Sequence, residues 1–256
     1  MRGLKKLSTL YMMKKKSPKH RFFIPSKSIQ KNQILLQDKG LVHQLSRVLR
    51  FQEGDQAVFL DNRGKEYLAS FARFSRDQIT AKILEKNKIK ETPKYHLNLY
   101  VALLKNQNRF EWILEKGTEL GVTSFIPLIT KRTGIKILRK EERLQKIIQE
   151  AAEQSERVKL PSLKAPQNLQ ESLEKVNDDD FYLIAYEEEK KEKDLRSTLS
   201  MIPAGSNIHL FIGPEGGFEE EEIRLAQEKG LKTFSLGKRV LRTETAAIGC
   251  TSIILL

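Results

Sequence analysis

The chain has 256 residues, enough for one large domain or two modest ones, with 39% hydrophobic and 31% charged residues and a net charge of +13. The single cysteine, Cys250, excludes an internal disulfide and a cysteine-based zinc site. His20, His43, His96 and His209 show no ligand spacing, so no metal is expected. No run approaches the roughly 20 apolar residues of a membrane span, and Leu7–Met13 is too short and polar for the core of a signal peptide. A cytoplasmic protein with no membrane association is expected.

The positive charge is uneven. Residues 1–90 carry 21 Lys/Arg against 7 Asp/Glu, and residues 91–256 carry 25 against 26. A basic module joined to a nearly neutral one points to a polyanion partner, of which nucleic acid is the commonest.

Residues 1–20 read as a solvated basic tail, with Met12 or Met13 as an alternative start. Residues 21–88 read as a small β-barrel. Its strands are expected at Arg21–Pro25, Gln33–Leu36, Asp55–Leu60, Lys65–Phe74 and Gln78–Leu84, with Asn62-Arg63-Gly64 as a turn. One helix interrupts them, with Leu41, Val42, Leu45, Val48 and Leu49 on a single apolar face. Arg47 and Arg50 need not lie on that face and can point outward. Small barrels of this kind commonly bind nucleic acid.

A polar segment ending in Thr92-Pro93 leads into residues 93–256, where strands and helices alternate. Strands are expected at Tyr95–Leu104, Ser124–Thr130, Phe181–Tyr186, Ile208–Ile212 and Thr233–Leu236. Helices are expected on the face Phe110, Ile113, Leu114 and Gly117, stopping at Gly121, and on the face Leu144, Ile147, Ile148, Ala151 and Ser155. Two more span Glu219–Gly230 and Thr243 to the end. This order predicts an α/β domain with a mainly parallel sheet. Cys250, in the apolar run from Ala246 onward, reads as a buried thiol.

Two loops stand out. Gly213-Pro214-Glu215-Gly216-Gly217 leaves a strand and opens a helix, the setting in which backbone N–H groups cradle a ligand. It matches neither common phosphate-binding glycine motif. Glu219-Glu220-Glu221-Glu222 follows, carboxylates that already suit the positive helix end, so a ligand without phosphates is expected. The second loop, Leu236-Gly237-Lys238-Arg239-Val240-Leu241-Arg242, leads into Thr243-Glu244-Thr245-Ala246. At the ends of neighbouring strands, such loops sit where α/β sheets bind ligands.

Together these loops resemble the SPOUT methyltransferases, and more narrowly the bacterial 16S rRNA (uracil-N3) methyltransferase family. The resemblance extends to Arg21-Phe22-Phe23, His43–Arg50, Lys116–Val122 and Glu150–Arg157, covering about residues 21–256. Gly117 departs from it, standing where alanine is more usual. The resemblance implies helices on both faces of the sheet, a C-terminal trefoil knot and a PUA-like N-terminal barrel. It implies S-adenosylmethionine as methyl donor, a ligand without phosphates. Ala185, Gly213, Pro214, Glu215, Gly216, Gly217, Leu236, Gly237, Val240, Leu241, Thr245 and Ala246 would hold it. It further implies a homodimer acting on 16S rRNA or the small ribosomal subunit.

Attack by uracil N3 needs a proton acceptor and a cation to stabilise the anionic base. Arg157, Arg242, Glu244 and Glu215 are the candidates. Arg21, Arg47, Arg50, Lys131, Arg132 and Arg239 are candidates for RNA contact, and Lys136, Arg139, Lys140 and Arg143 extend the basic track. Ribose 2′-O-methylation and a non-catalytic role in ribosome assembly are the alternative readings.

Overall fold

In the computed structural model, residues 20–89, 93–187 and 195–256 are described. The basic tail before His20, and the linker around residues 90–92, lie outside them. The chain divides into two compact units, Met1–Lys90 and Glu91–Leu256.

The first unit is a curled sheet of β1 (Arg21–Phe23), β2 (Gln33–Leu36), β3 (Gln56–Leu60), β4 (Lys65–Phe74) and β5 (Ile79–Lys88), ordered β1-β3-β4-β5-β2. Only β1 and β3 pair in parallel. The long β4–β5 ladder has register shifts at Leu68/Ala69 and Phe71/Arg73, bulges that bend it around its own apolar face. Phe22, Phe59, Phe71, Ile34, Leu36 and Ile79 fill the interior.

The helical segment departs from the simple periodicity. Helix α1 (Lys39–His43) runs into a wide turn, Gln44–Val48, closed by Leu49 N–H donating to the Gln44 carbonyl five residues back. The extra residue per turn rotates Val48 out of the expected apolar face: it is 63% exposed, while Val42 and Leu45 are buried.

The second unit is a seven-stranded parallel sheet of β6 (His96–Ala102), β7 (Ser124–Ile129), β8 (Ser162–Leu163), β9 (Gln167–Asn168), β10 (Phe181–Ala185), β11 (Asn207–Ile212) and β12 (Lys232–Phe234). Its order is β12-β10-β11-β6-β7-β8, with β9 also on β7. Helices α2 (Gln107–Leu120), α3 (Glu141–Gln154), α5 (Leu195–Leu199) and α7 (Thr243–Leu255) contribute to one apolar layer with Leu97, Leu99, Val101 and Leu210. Helices α4 (Leu169–Leu173) and α6 (Glu220–Glu228) contribute to the other, with Tyr100, Ile184 and Phe211. Strands covered on both faces explain the continuous apolar runs of β6 and β11. Strands β8 and β9, two residues each, and the single-turn helices α4 and α5 were not foreseen, since so few residues carry no periodicity.

Helix α2 ends at Gly121 in the left-handed conformation (φ 110°), as its sequence requires. Gly117 lies beneath Phe125: a Cβ there would sit 2.7 Å from Phe125 Cε1 and 2.9 Å from Cζ. The alanine usual in the family would overpack this core. Gly117→Ala is therefore expected to lower unfolding free energy by about 1 kcal/mol, overpacking outweighing the better helix propensity of alanine. Urea denaturation would show the loss, and adding Phe125→Leu should recover it.

His209 on β11 is stacked on Tyr182 (centroids 4.4 Å apart), and its Nε2 lies 3.1 Å from Asp180 Oδ2. Its Nδ1 is buried with no hydrogen-bond partner among the described residues. Burial lowers the His209 pKa, outweighing the Asp180 contact that raises it. A depressed histidine leaves the unfolded chain binding more protons, so its stabilisation holds above about pH 6.5 and is lost as pH falls below it. Denaturant midpoints measured from pH 7 to 5 should fall more steeply for the wild type than for His209→Gln.

Candidate functional site

The C-terminal ends of β10, β11 and β12 open into one cavity. Its wall comprises Ala185, Tyr186 and Glu187 after β10, Gly213–Glu215, Gly217 and Phe218 after β11, and Ser235–Gly237 and Arg239–Leu241 after β12. Ile212, Thr243 and Ala246 complete it.

The backbone is held by local bonds. Tyr186 N–H donates to the Phe234 carbonyl (3.0 Å), joining the first loop to the third strand. Gly217 N–H closes a turn on the Pro214 carbonyl (2.9 Å) with φ at 70°. A Cβ at Gly217 would stand 2.7 Å from Glu187 Oε1, so only glycine admits the Glu187 carboxylate this close. Thr243 Oγ1 donates to the Gly213 carbonyl (3.0 Å), fastening the start of α7 to the glycine loop.

The cavity has apolar surface from Ala185, Ile212, Leu236, Val240, Leu241 and Ala246, with the carboxylates of Glu187 and Glu215 and the guanidinium of Arg239. The four glutamates opening α6 do not line it. Glu222 Oε1 accepts from Lys131 N–H (2.9 Å), Glu219 and Glu221 pair with the Lys131 ammonium, and Arg132 Nη1 donates to the Gly216 carbonyl (2.7 Å). The acidic helix start is thus engaged by the loop after β7. The phosphate-poor character rests instead on Glu187 and Glu215.

Of the residues expected to hold the donor, Gly216 and Thr245 are not in the cavity wall, and the others are. Glu187, Tyr186, Phe218 and Ser235 were missed. Glu187 was accessible to sequence reading as the first residue beyond an expected strand.

The four catalytic candidates separate. Glu215 lines the cavity. Arg242 is the exposed N-cap residue of α7 beside it. Glu244 turns away, its Oε1 3.4 Å from Arg109 Nε on α2 and its Oε2 buried without a partner among the described residues. Arg157 donates to the carbonyls of Thr118 (2.9 Å) and Val122 (2.8 Å), capping the C-terminal end of α2. Cys250 is buried, which pushes its thiol pKa well up. Among the described residues, no cluster of His, Cys, Asp or Glu could hold a metal, and no helix is long and apolar enough to cross a membrane.

In the first unit, Arg47 and Arg50 are exposed. Arg21 is not: its side chain is 10% exposed and Nη2 bonds Glu66 Oε2 at 2.9 Å.

A family model described as an RNA methyltransferase domain matches residues 90–255, and one described as an RNA methyltransferase PUA domain matches residues 45–84. The ribosomal RNA small subunit methyltransferase E of Bacillus subtilis is 36% identical over 224 residues, covering 83% of this chain and 86% of its own. The chain belongs to this family. Its Rickettsia conorii relative is 34% identical, covering 90% of this chain and 92% of its own. The Neisseria gonorrhoeae family member, solved bound to S-adenosyl methionine, superimposes with a TM-score of 0.80 at 28% identity, covering 91% of this chain and 95% of its own. A putative methyltransferase from Legionella pneumophila, solved in complex with the same cofactor, gives 0.80 at 32%, covering 91% and 96%. The fold is thus that of the SPOUT methyltransferases, preceded by a PUA-like sheet.

The bonds of Arg157 make it a structural residue of this family member. Removing it strands two carbonyls at a helix end. Arg157→Ala is expected to cost about 2 kcal/mol of stability, as for other charge-assisted hydrogen bonds, measurable as a shift of the urea midpoint.

Proposed function

We propose that this chain transfers the methyl group of S-adenosylmethionine to N3 of a uridine in 16S rRNA of the small ribosomal subunit, acting in the cytoplasm as a homodimer. The observation that carries the reading is the cavity at three parallel strand ends, in a chain whose Neisseria gonorrhoeae relative was solved with this cofactor.

The residues present fit the group. Leu236, Leu241, Ala185 and Ala246 offer apolar surface to an adenine, and the backbone around Gly213 and Gly237 can approach closely. Glu187 and Glu215 complement a positive sulfonium and would repel phosphate. When bound, the donor supplies an electrophilic methyl group on a cationic sulfur.

The chain's own part is positioning, proton removal and charge stabilisation. Glu215, exposed on the cavity wall, accepts the N3 proton. Arg239 on the same wall and Arg242 at the entrance stabilise the uracil anion. Direct attack by nitrogen needs no cysteine nucleophile, in keeping with the buried Cys250. A base methylated on its pairing edge must be unpaired, and extrusion achieves this. Arg47 and Arg50 supply phosphate contacts from the basic first unit. Exposed Trp112 on α2, with Val240 and Leu241 ahead of α7, supports contact with a second copy.

Primer extension on 16S rRNA tests the reading, because a methyl on N3 blocks pairing and stops reverse transcriptase. The stop should vanish in a strain lacking the protein and return with the wild-type chain. Glu215→Gln should lower turnover by about a hundredfold, the usual scale for a lost general base, while calorimetric affinity for the donor changes little. An unchanged stop in the deletion strain would refute the function.

A further inference from the structure

The cationic run after β7 is divided by its partners. Lys131 and Arg132 are committed to the acidic start of α6 and the glycine loop. Arg143 makes a two-point bond to Glu111 (2.8 and 2.9 Å), and that bond holds the Glu111 carboxyl below its ordinary pKa. Lys136 and Arg139 are exposed and take part in no ion pair among the described residues, and the same is true of Lys105 after β6.

These three cations surround a second cavity or its mouth. Leu103, Leu104, Phe110, Leu138 and Leu144 form its apolar interior, with Lys105, Arg139, Gln107 and Ile137 also on its wall. Ile137 is 69% exposed and stands between Lys136 and Arg139 in sequence. The loop is anchored at its base, where Thr130 N–H donates to Thr133 Oγ1 (2.9 Å) and both threonines are buried. The Lys105 stem crosses Gly134 so closely that a Cβ there would stand 2.6 Å from Lys105 Cε.

The position relates this cavity to the donor site. Val101 of β6 is in register with Ile212 of β11, the residue before Gly213. Leu103 to Lys105 therefore leave the same edge of the sheet as the glycine loop, on the neighbouring strand, and strands lie about 4.8 Å apart.

An apolar recess with an exposed aliphatic tip and unpaired cations around it matches one ligand chemistry: an unpaired nucleobase with its adjoining phosphates. We propose that Lys105 and the Gly134–Arg139 loop form an RNA subsite taking a nucleotide that flanks the one being methylated. The base packs on Ile137 and Leu138, and Lys105, Lys136 and Arg139 contact the flanking phosphates. The proposal rests on the rRNA-methyltransferase reading above and adds a surface outside the donor cavity. Charge complementarity favours RNA over a second copy of this basic chain.

The test uses the full chain and a 16S rRNA transcript substituted with 4-thiouridine, photo-crosslinked and mapped by peptide mass spectrometry. Crosslinks are expected within residues 103–105 or 134–139. Lys136→Ala with Arg139→Ala should reduce the slope of log affinity against log salt by about 1.4, two single-strand phosphate contacts. Ile137→Ser should weaken binding about tenfold with the slope unchanged. Donor affinity by calorimetry should be unaltered in all variants. Wild-type affinity in these variants, with crosslinks only elsewhere, would overturn the subsite while leaving the methyltransferase reading intact. Ile137→Ser changing the sedimentation coefficient but not RNA affinity would make this face a contact between copies and likewise overturn it. Failure of the wild-type chain to bind the transcript or assembled small subunits would defeat both.

Discussion

Parallel pairing of β11 between β10 and β6 is the constraint on which the second unit depends. Leu210 and Phe211, on opposite faces of β11, are both fully buried, so the strand cannot slip by one residue without exchanging the side chains packed on each layer. With that register set, Gly213 emerges beside Ala185–Glu187, and β12 on the far side of β10 brings Ser235–Gly237 to the same edge. A ligand site results from strand order alone, and Thr243 then ties the last helix to it through the Gly213 carbonyl.

The same framework sorts the charges. A run of cations in sequence looks uniform, but folding places each beside different neighbours. Lys131 and Arg132 meet the carboxylates that open α6, a helix end whose dipole already favours negative charge. Arg143 meets Glu111 across the α2–α3 contact. The cations left unpaired are those whose loop projects past the packed elements. Arg21, the first arginine of the barrel, is neutralised in the same way by Glu66. Net charge therefore overstates the cations open to a polyanion, and partner geometry identifies them.

Much of the fold was legible because its periods are long and its stop signals strong. Strands β4, β6, β7 and β11 are unbroken apolar or alternating runs, and α2 carries both its apolar stripe and its terminal Gly121. The donor loops were legible because glycines at strand ends imply close backbone approach. The outward turn of Val48 was not, since a widened helical turn depends on hydrogen bonds that leave no mark on apolar spacing. The roles of Arg157 and Glu244 were equally hidden: each lies within a motif near the site, yet each side chain points to α2.

Sequence by itself determined the two-unit organisation, the parallel α/β class, the paired glycine loops and the family to which they belong. Those properties are set by periodicity, by residues with special backbone freedom and by motifs contiguous in the chain. Tertiary structure alone decided that Glu187 joins the cavity, that the α6 glutamates face the β7 loop, and which cations remain unpaired. Each of those depends on side chains brought together from distant positions, and such meetings are governed by strand order and packing, which no local stretch of residues encodes.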